Sequence, residues 1–136
     1  MADQTFLNWP FFEDRHRDWA ALVEAVAAGL TVDHSDVDAA CRDVGATLGD
    51  AGLLEATAAP DGTLDVRSLC LAREILARQD GLADFAFAMQ GLGTGAVSLF
   101  GTEAQKAEWL PQTRAGRAIS AFALTEPGSG SDVANT

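Results

Sequence analysis

Only one stretch of this sequence, residues 118–124 (Ala-Ile-Ser-Ala-Phe-Ala-Leu), reads as a β-strand, and one strand cannot make a sheet. An unpaired strand leaves its ladder donors and acceptors empty, and even a lone hairpin is marginal in water. The core must therefore come from helices. With 136 residues, 48% of them hydrophobic, the chain is long enough to bury one ordinary core without a metal or disulfide. Its two cysteines, Cys41 and Cys70, lie in no CxxC or Cys/His cluster and fall inside apolar helical patterns. Both are expected to be plain buried thiols in a reducing compartment, with no metal site.

The helices announce themselves by period and punctuation. Over residues 12–30, Trp19, Leu22, Val23, Val26, Ala27 and Leu30 recur at threes and fours, opposite Asp14, Arg15, Arg17, Asp18 and Glu24. Ser35 and Asp38 form an S-x-x-D capping signal for a second helix carrying Val37, Cys41, Val44, Leu48 and Ala51, which Gly52 is placed to stop. A turn at Pro60-Asp61-Gly62 precedes a third helix with Asp65 as N-cap, running to Gln79 with Val66, Leu69, Ala72 and Leu76 inward. Asp80-Gly81 breaks it. The fourth, residues 82–100, has Leu82, Phe85, Ala86, Met89, Leu92, Ala96 and Leu99 on one side and Ala83, Phe87 and Val97 on the other. A helix apolar nearly all round belongs at the centre of a bundle, with the first set of residues facing in. Thr102 and Gln105 form a capping box for a fifth helix, which Pro111 is expected to kink or end.

Charge narrows the partners. Twenty acidic residues against nine basic ones give a formal net charge of -11, which repels phosphate backbones and anionic membrane surfaces. No nucleic acid and no membrane are expected. The first residues show neither a secretory signal nor an organelle transit pattern, so the chain reads as cytoplasmic. The uncharged run 85–102 is interrupted by Gln90, Thr94, Ser98 and by Gly91, Gly93 and Gly95, and suits a buried helix better than a membrane span.

The texture changes after Gly116. Residues 1–116 are expected to form an N-terminal helical domain, and residues 117–136 to open a β domain whose other strands lie elsewhere, so the chain reads as unfinished. Following the strand is a loop with two glycines, a proline and three hydroxyls, Thr125-Glu126-Pro127-Gly128-Ser129-Gly130-Ser131. Such loops present backbone N–H groups and hydroxyls that hold phosphate or carbonyl oxygens, though on composition alone an ordinary turn is the better reading.

The order of residues says more than their composition. Ala123-Leu124-Thr125-Glu126-Pro127-Gly128-Ser129-Gly130-Ser131-Asp132 closely resembles the signature with which the acyl-CoA dehydrogenase family opens its middle β domain. Leu48-Gly49-Asp50-Ala51-Gly52-Leu53-Leu54 resembles the end of that family's second helix. Phe100-Gly101-Thr102-Glu103-Ala104-Gln105-Lys106, with Trp109-Leu110-Pro111, resembles the stretch leading to its first strand. The resemblance covers nearly all of the chain but about a third of a complete member. It implies a mainly α fold: a helical bundle followed by the first strand of a β domain, incomplete against the family's α/β/α architecture.

The chemistry implied by the resemblance is oxidation of a fatty acyl-CoA thioester to its α,β-enoyl-CoA. A glutamate removes the α-proton, and the β-hydride goes to N5 of FAD; positioning and electrostatics are the protein's share. By position, Phe122, Ala123, Leu124 and Thr125 match the residues that approach the flavin ring, and Gly130 and Ser131 the part of the loop beside it. Ser131 also matches a residue that hydrogen-bonds bound ligand, and Met89 and Leu92 match positions lining the acyl-chain cavity. No catalytic residue is expected in this chain. The family's base sits in its C-terminal helical domain, so Glu126 is assigned a structural loop contact. Electron-transferring flavoprotein as acceptor and a homodimer or homotetramer are further implications.

Other candidates have plainer expectations. His16 and His34 are expected at the surface, and Arg114 and Arg117 in solvent rather than on a phosphate. Gly91, Gly93 and Gly95 either make room for a ligand or permit close packing. Acyl-CoA oxidase and flavin monooxygenase share this superfamily and differ in oxygen access, which these residues do not measure. A non-catalytic helical interaction module also suits the acidity and helicity, but leaves the flavin-type loop unexplained.

Overall fold

The computed structural model describes residues 3–59 and 61–136. Five α-helices follow in order: α1 (Asp14–Ala28), α2 (Val37–Asp50), α3 (Val66–Gln79), α4 (Gly81–Phe100) and α5 (Glu103–Arg114). A 3-10 turn, Leu53–Thr57, links α2 to α3. Among the described residues there is no strand: residues 118–124 form no ladder, and the only pairing is an isolated bridge between Glu126 and Ser129. The physical reason is the one visible in the sequence, since these residues contain no second strand for 118–124 to pair with.

Short polar side chains start most of these helices. Asp65 accepts from the Arg67 N–H, Asp80 from that of Leu82, and Thr102 from that of Gln105, satisfying donors that the first helical turn leaves free. For α2 the cap is Asp36, which accepts from the Ala39 N–H at 3.0 Å; Ser35, the expected cap, instead donates its own N–H to Asp33. Helix α1 starts at Asp14, two residues later than its apolar pattern suggests, because the ring of His16 accepts the Glu13 N–H at 3.0 Å. Gly52 adopts φ 75 and stops α2, as its position suggests. Pro60 of the expected 60–62 turn lies outside the described residues.

Pro111 does not end α5. The helix runs on to Arg114, and the Pro111 carbonyl accepts the Ala115 N–H at 3.2 Å. A proline lacks only its own donor and crowds the turn before it; its carbonyl still serves the turn that follows.

Helix α4 is central, packing against α2, α3, α5 and the 3-10 turn. Its inward face, however, is the reverse of the expected one. The buried residues are Ala83, Phe87, Gln90, Thr94 and Ser98, while Phe85, Leu92 and Leu99 are 54%, 53% and 45% exposed. In α1 the expected stripe largely holds: Val23 and Ala27 are buried with His16 and Ala20, Trp19, Val26 and Leu30 pack against the core, and only Leu22 is exposed. Small residues let helix axes approach, and Gln90 and Thr94 are tolerated inside because they are hydrogen-bonded, whereas the buried Ser98 hydroxyl has no partner among the described residues. The core joins Val23, Val44, Leu48, Leu54, Leu76 and Phe87. Each such side chain contributes about 1.5–3 kcal/mol by leaving water.

The cysteines also depart from expectation. Cys70 is exposed and Cys41 only partly buried, because α3 turns its Leu71, Ala72, Ile75 and Leu76 face inward and leaves Cys70 on the flank. No helix among the described residues is long and apolar enough to cross a membrane.

Candidate functional site

Of the grooves that flank α4, two divide the candidate acyl-side residues between them. Met89 lines one of about 210 Å³ with Cys41, Phe85, Gln90, Ile119 and Ser120. Leu92 lines another of about 280 Å³ with Leu64, Leu69, Phe87 and Arg73. At the second, Arg73 grips Asp84 through two hydrogen bonds of 2.8 and 2.9 Å, which holds its guanidinium above the ordinary pKa. Each groove is mainly hydrocarbon, the kind of wall that suits an apolar chain.

The chain crosses from α5 to the loop over the Met89 groove. At Gly116, φ is 66 and a Cβ would come within 2.7 Å of the Gly45 carbonyl carbon in α2, so this turn needs glycine for both reasons. The N–H groups of Arg117 and Ala118 both donate to the Gln112 carbonyl, at 3.0 and 3.1 Å. Gln90, 3% exposed, then divides its amide between the end of α5 and the crossing chain. Its Nε2 donates to the carbonyls of Thr113 and Ala118 at 3.1 and 2.9 Å, and its Oε1 accepts the Ser120 N–H at 2.7 Å. Ser120 Oγ lies 3.1 Å from the Met89 carbonyl.

Beyond Ser120 the chain leaves the bundle. Phe122 and Leu124 are 51% and 39% exposed, and Ala123 and Thr125 are exposed as well. Among the described residues, none of these four makes a hydrogen bond within the chain. The loop closes on itself at Pro127-Gly128: Glu126 N–H donates to the Ser129 carbonyl at 2.9 Å, and Ser129 N–H returns to the Glu126 carbonyl at 3.1 Å. Glu126 thus holds the loop through its backbone, and its side chain is exposed. Ser129 is the buried hydroxyl of the loop, donating to the Asp132 carbonyl at 2.7 Å, while Gly130 and Ser131 are exposed.

His16 is not at the surface. It is fully buried, with Nε2 3.0 Å from an Asp65 carboxylate oxygen. Since Nδ1 accepts the Glu13 N–H, Nε2 carries the proton and donates to Asp65. Burial pushes the Asp65 carboxyl up, but hydrogen bonds from His16 and Ser68 and the charge of Arg15 outweigh it and leave it below the ordinary value. This cluster ties α1 to the N-terminus of α3. His34 is exposed, as expected, beside Asp80 at 2.8 Å. Arg117 is exposed, and neither it nor Arg114 makes an ion pair among the described residues. Those residues also contain no cluster suited to a metal ion.

Neither the motif nor the hydropathy pattern singles out Gln90 and Ser120 as site residues. The available signal was spacing: Gln90 and Thr94 continue the stripe from Ala83 and Phe87 at fours and threes. Gly93 belongs to the same seam, since a Cβ there would stand 2.6 Å from that of Ser120. Gly95 has open space instead.

The family described as acyl-CoA dehydrogenase, N-terminal domain, matches residues 13–117. The chain is 46% identical over 63 residues to the rat very long-chain specific acyl-CoA dehydrogenase, mitochondrial, the match covering 46% of this chain and 10% of that protein. It is 42% identical over 69 residues to a probable acyl-CoA dehydrogenase of Bacillus subtilis (strain 168), covering 51% of this chain and 12% of the relative. To the short-chain specific acyl-CoA dehydrogenase of Megasphaera elsdenii it is 44% identical over 69 residues, covering 50% and 18%. The matched stretch thus spans between a tenth and a fifth of these relatives.

Proposed function

Because this chain belongs to the acyl-CoA dehydrogenase family, of which it carries the N-terminal domain, we propose that it forms the helical wall of a flavoenzyme that oxidises an acyl-CoA thioester to its α,β-enoyl-CoA. The observation that carries this reading is the free donor set at residues 122–125. Backbone N–H groups of Phe122, Ala123, Leu124 and Thr125, with the Thr125 hydroxyl, make no hydrogen bond within the described chain. That set fits the carbonyl and ring-nitrogen acceptors along the edge of a flavin, and Phe122 and Leu124 offer exposed apolar surface to its face. Ser131 and the open backbone at Gly130 are placed in the same exposed loop to donate to cofactor or thioester.

FAD bound there supplies the hydride acceptor for the substrate's β-carbon. The residues of this chain bind and orient: Met89 and Leu92 line hydrocarbon grooves suited to the acyl chain, and the loop fixes the cofactor's edge. In this reading the proton-abstracting base lies outside these 136 residues, and electron-transferring flavoprotein takes the electrons. The assembly is a homo-oligomer, a dimer or tetramer, in the cytoplasm.

The test is to join this chain to segments completing the family's architecture, then titrate the purified protein anaerobically with acyl-CoA. It is expected to carry stoichiometric flavin that bleaches as substrate is added, whereas residues 1–136 alone hold no stoichiometric flavin. A colourless protein, or a flavin that no acyl-CoA reduces, contradicts the reading.

A further inference from the structure

We propose that Gln90 is a positioning residue, a buried amide clamp that sets where the chain entering the 122–131 loop crosses α4. Both polar atoms of its side chain are engaged there: Oε1 accepts the Ser120 N–H and Nε2 donates to the Ala118 carbonyl, both on the crossing chain, while a second Nε2 bond reaches the Thr113 carbonyl at the end of α5. Ser120 answers with its hydroxyl, which lies 3.0 Å from the Gln90 carbonyl and from Oε1, and 3.1 Å from the Met89 carbonyl. The missing side chain of Gly93 leaves the room for this approach, since a Cβ there would stand 2.7 Å from the Ala121 N–H nitrogen.

A core position could be filled by hydrocarbon of equal size, and an amide is tolerated there only if each of its atoms is paired. Gln90 is paired mainly with one segment, and that segment has no strand partner of its own among the described residues. One residue, Ala121, separates Ser120 from Phe122, so the clamp fixes the start of the loop relative to the Met89 turn of α4. Its consequence for chemistry rests on the function proposed above: the acyl-side wall and the flavin-side loop share one anchor. A misplacement of about 1 Å at such a point costs on the order of 100-fold in rate.

Site-resolved hydrogen exchange on the 136-residue chain tests the clamp without any flavin. In Gln90→Met, of similar length and without hydrogen bonds, the Ser120 amide is expected to exchange about tenfold or more faster. The Ala118 amide, bonded to Gln112 rather than Gln90, is an internal control and keeps its rate, as do the α1 and α3 amides. Should Gln90→Met fail to fold, Ser120→Ala keeps the amide bond to Oε1 and removes only the hydroxyl, giving a smaller loosening at residues 119–121. Unchanged Ser120 exchange in Gln90→Met, or equal loosening of the whole bundle, overturns the clamp.

In the flavin-loaded protein, Gln90→Met is expected to lower kcat by about tenfold or more with a smaller change in KM. Faster Ser120 exchange in a protein that never takes up flavin removes the functional reading and leaves the clamp standing. Normal flavin binding and kcat, with Ser120 exchange unaltered, does the opposite.

Discussion

The helical body and the tail after Ser120 differ in where their side chains find partners. Between Asp14 and Arg114, Val23, Leu48, Leu76 and Phe87 are essentially sealed from water by one another. In residues 121–136 all but Ser129 are exposed, including Phe122, Leu124 and Val133. The body's large apolar residues therefore stabilise this chain directly, while those of the tail return little to it. What distinguishes the regions is not hydrophobicity but the presence of an opposing surface.

Truncation of one phenylalanine from each region is the strongest attempt to break that contrast. Phe87→Ala should cost about 3–5 kcal/mol in urea unfolding, and Phe122→Ala less than about 0.5 kcal/mol. Equal costs would mean that the tail packs as the body does.

Asp65 probes how the body is tied together. Asp65→Ala removes the N-cap of α3 and the partner of buried His16, and should cost about 1–3 kcal/mol. Acid should act at the same place. A folded pKa below the ordinary carboxylate value stabilises the fold fully above about pH 4, and that contribution fades as pH falls through the folded value. Wild-type stability should drop on acidification in that range, and the decline should be shallower in Asp65→Asn. Parallel pH profiles would remove Asp65 from the account.

Two glycines of α4 sharpen the border between the regions. Gly95→Ala meets open space and should stabilise by about 0.5–1 kcal/mol through helix propensity alone. Gly93→Ala meets Ser120 and Ala121 and should destabilise by about 1 kcal/mol or more in spite of the same propensity gain. Gains of equal size would show that the 119–121 segment does not sit against Gly93. The smallest expected effect is Thr125→Val, within about 0.5 kcal/mol in stability. Its effect belongs to cofactor binding, where the lost hydroxyl should weaken FAD affinity by about 0.5–1.5 kcal/mol in the assembled protein.

The sequence made the helices readable because Asp65, Asp80, Thr102 and Gly52 act locally, within a turn of their own positions. The inward faces were less readable. Hydrophobicity ranks Phe85 and Leu92 above Gln90 and Ser98, but the neighbours that decide burial come from α5 and residues 118–120, far along the chain. His16 was misplaced for the same reason, since its partner Asp65 is 49 positions away. Of the candidate site, the order of residues in the 123–132 motif was legible, whereas the hydrogen bonds of Gln90 that anchor its approach exist only in three dimensions.

Hydrogen exchange resolved along residues 118–131 measures the central contrast most directly, first in this chain alone and then in the flavin-loaded assembly. Ser120 should be protected in both, and the amides of Phe122, Ala123, Leu124 and Thr125 should be nearly unprotected in the chain alone and protected once flavin is bound. Strong protection of those four in the chain alone, or none in the flavin-loaded protein, would contradict the assignment of this loop as the cofactor's edge.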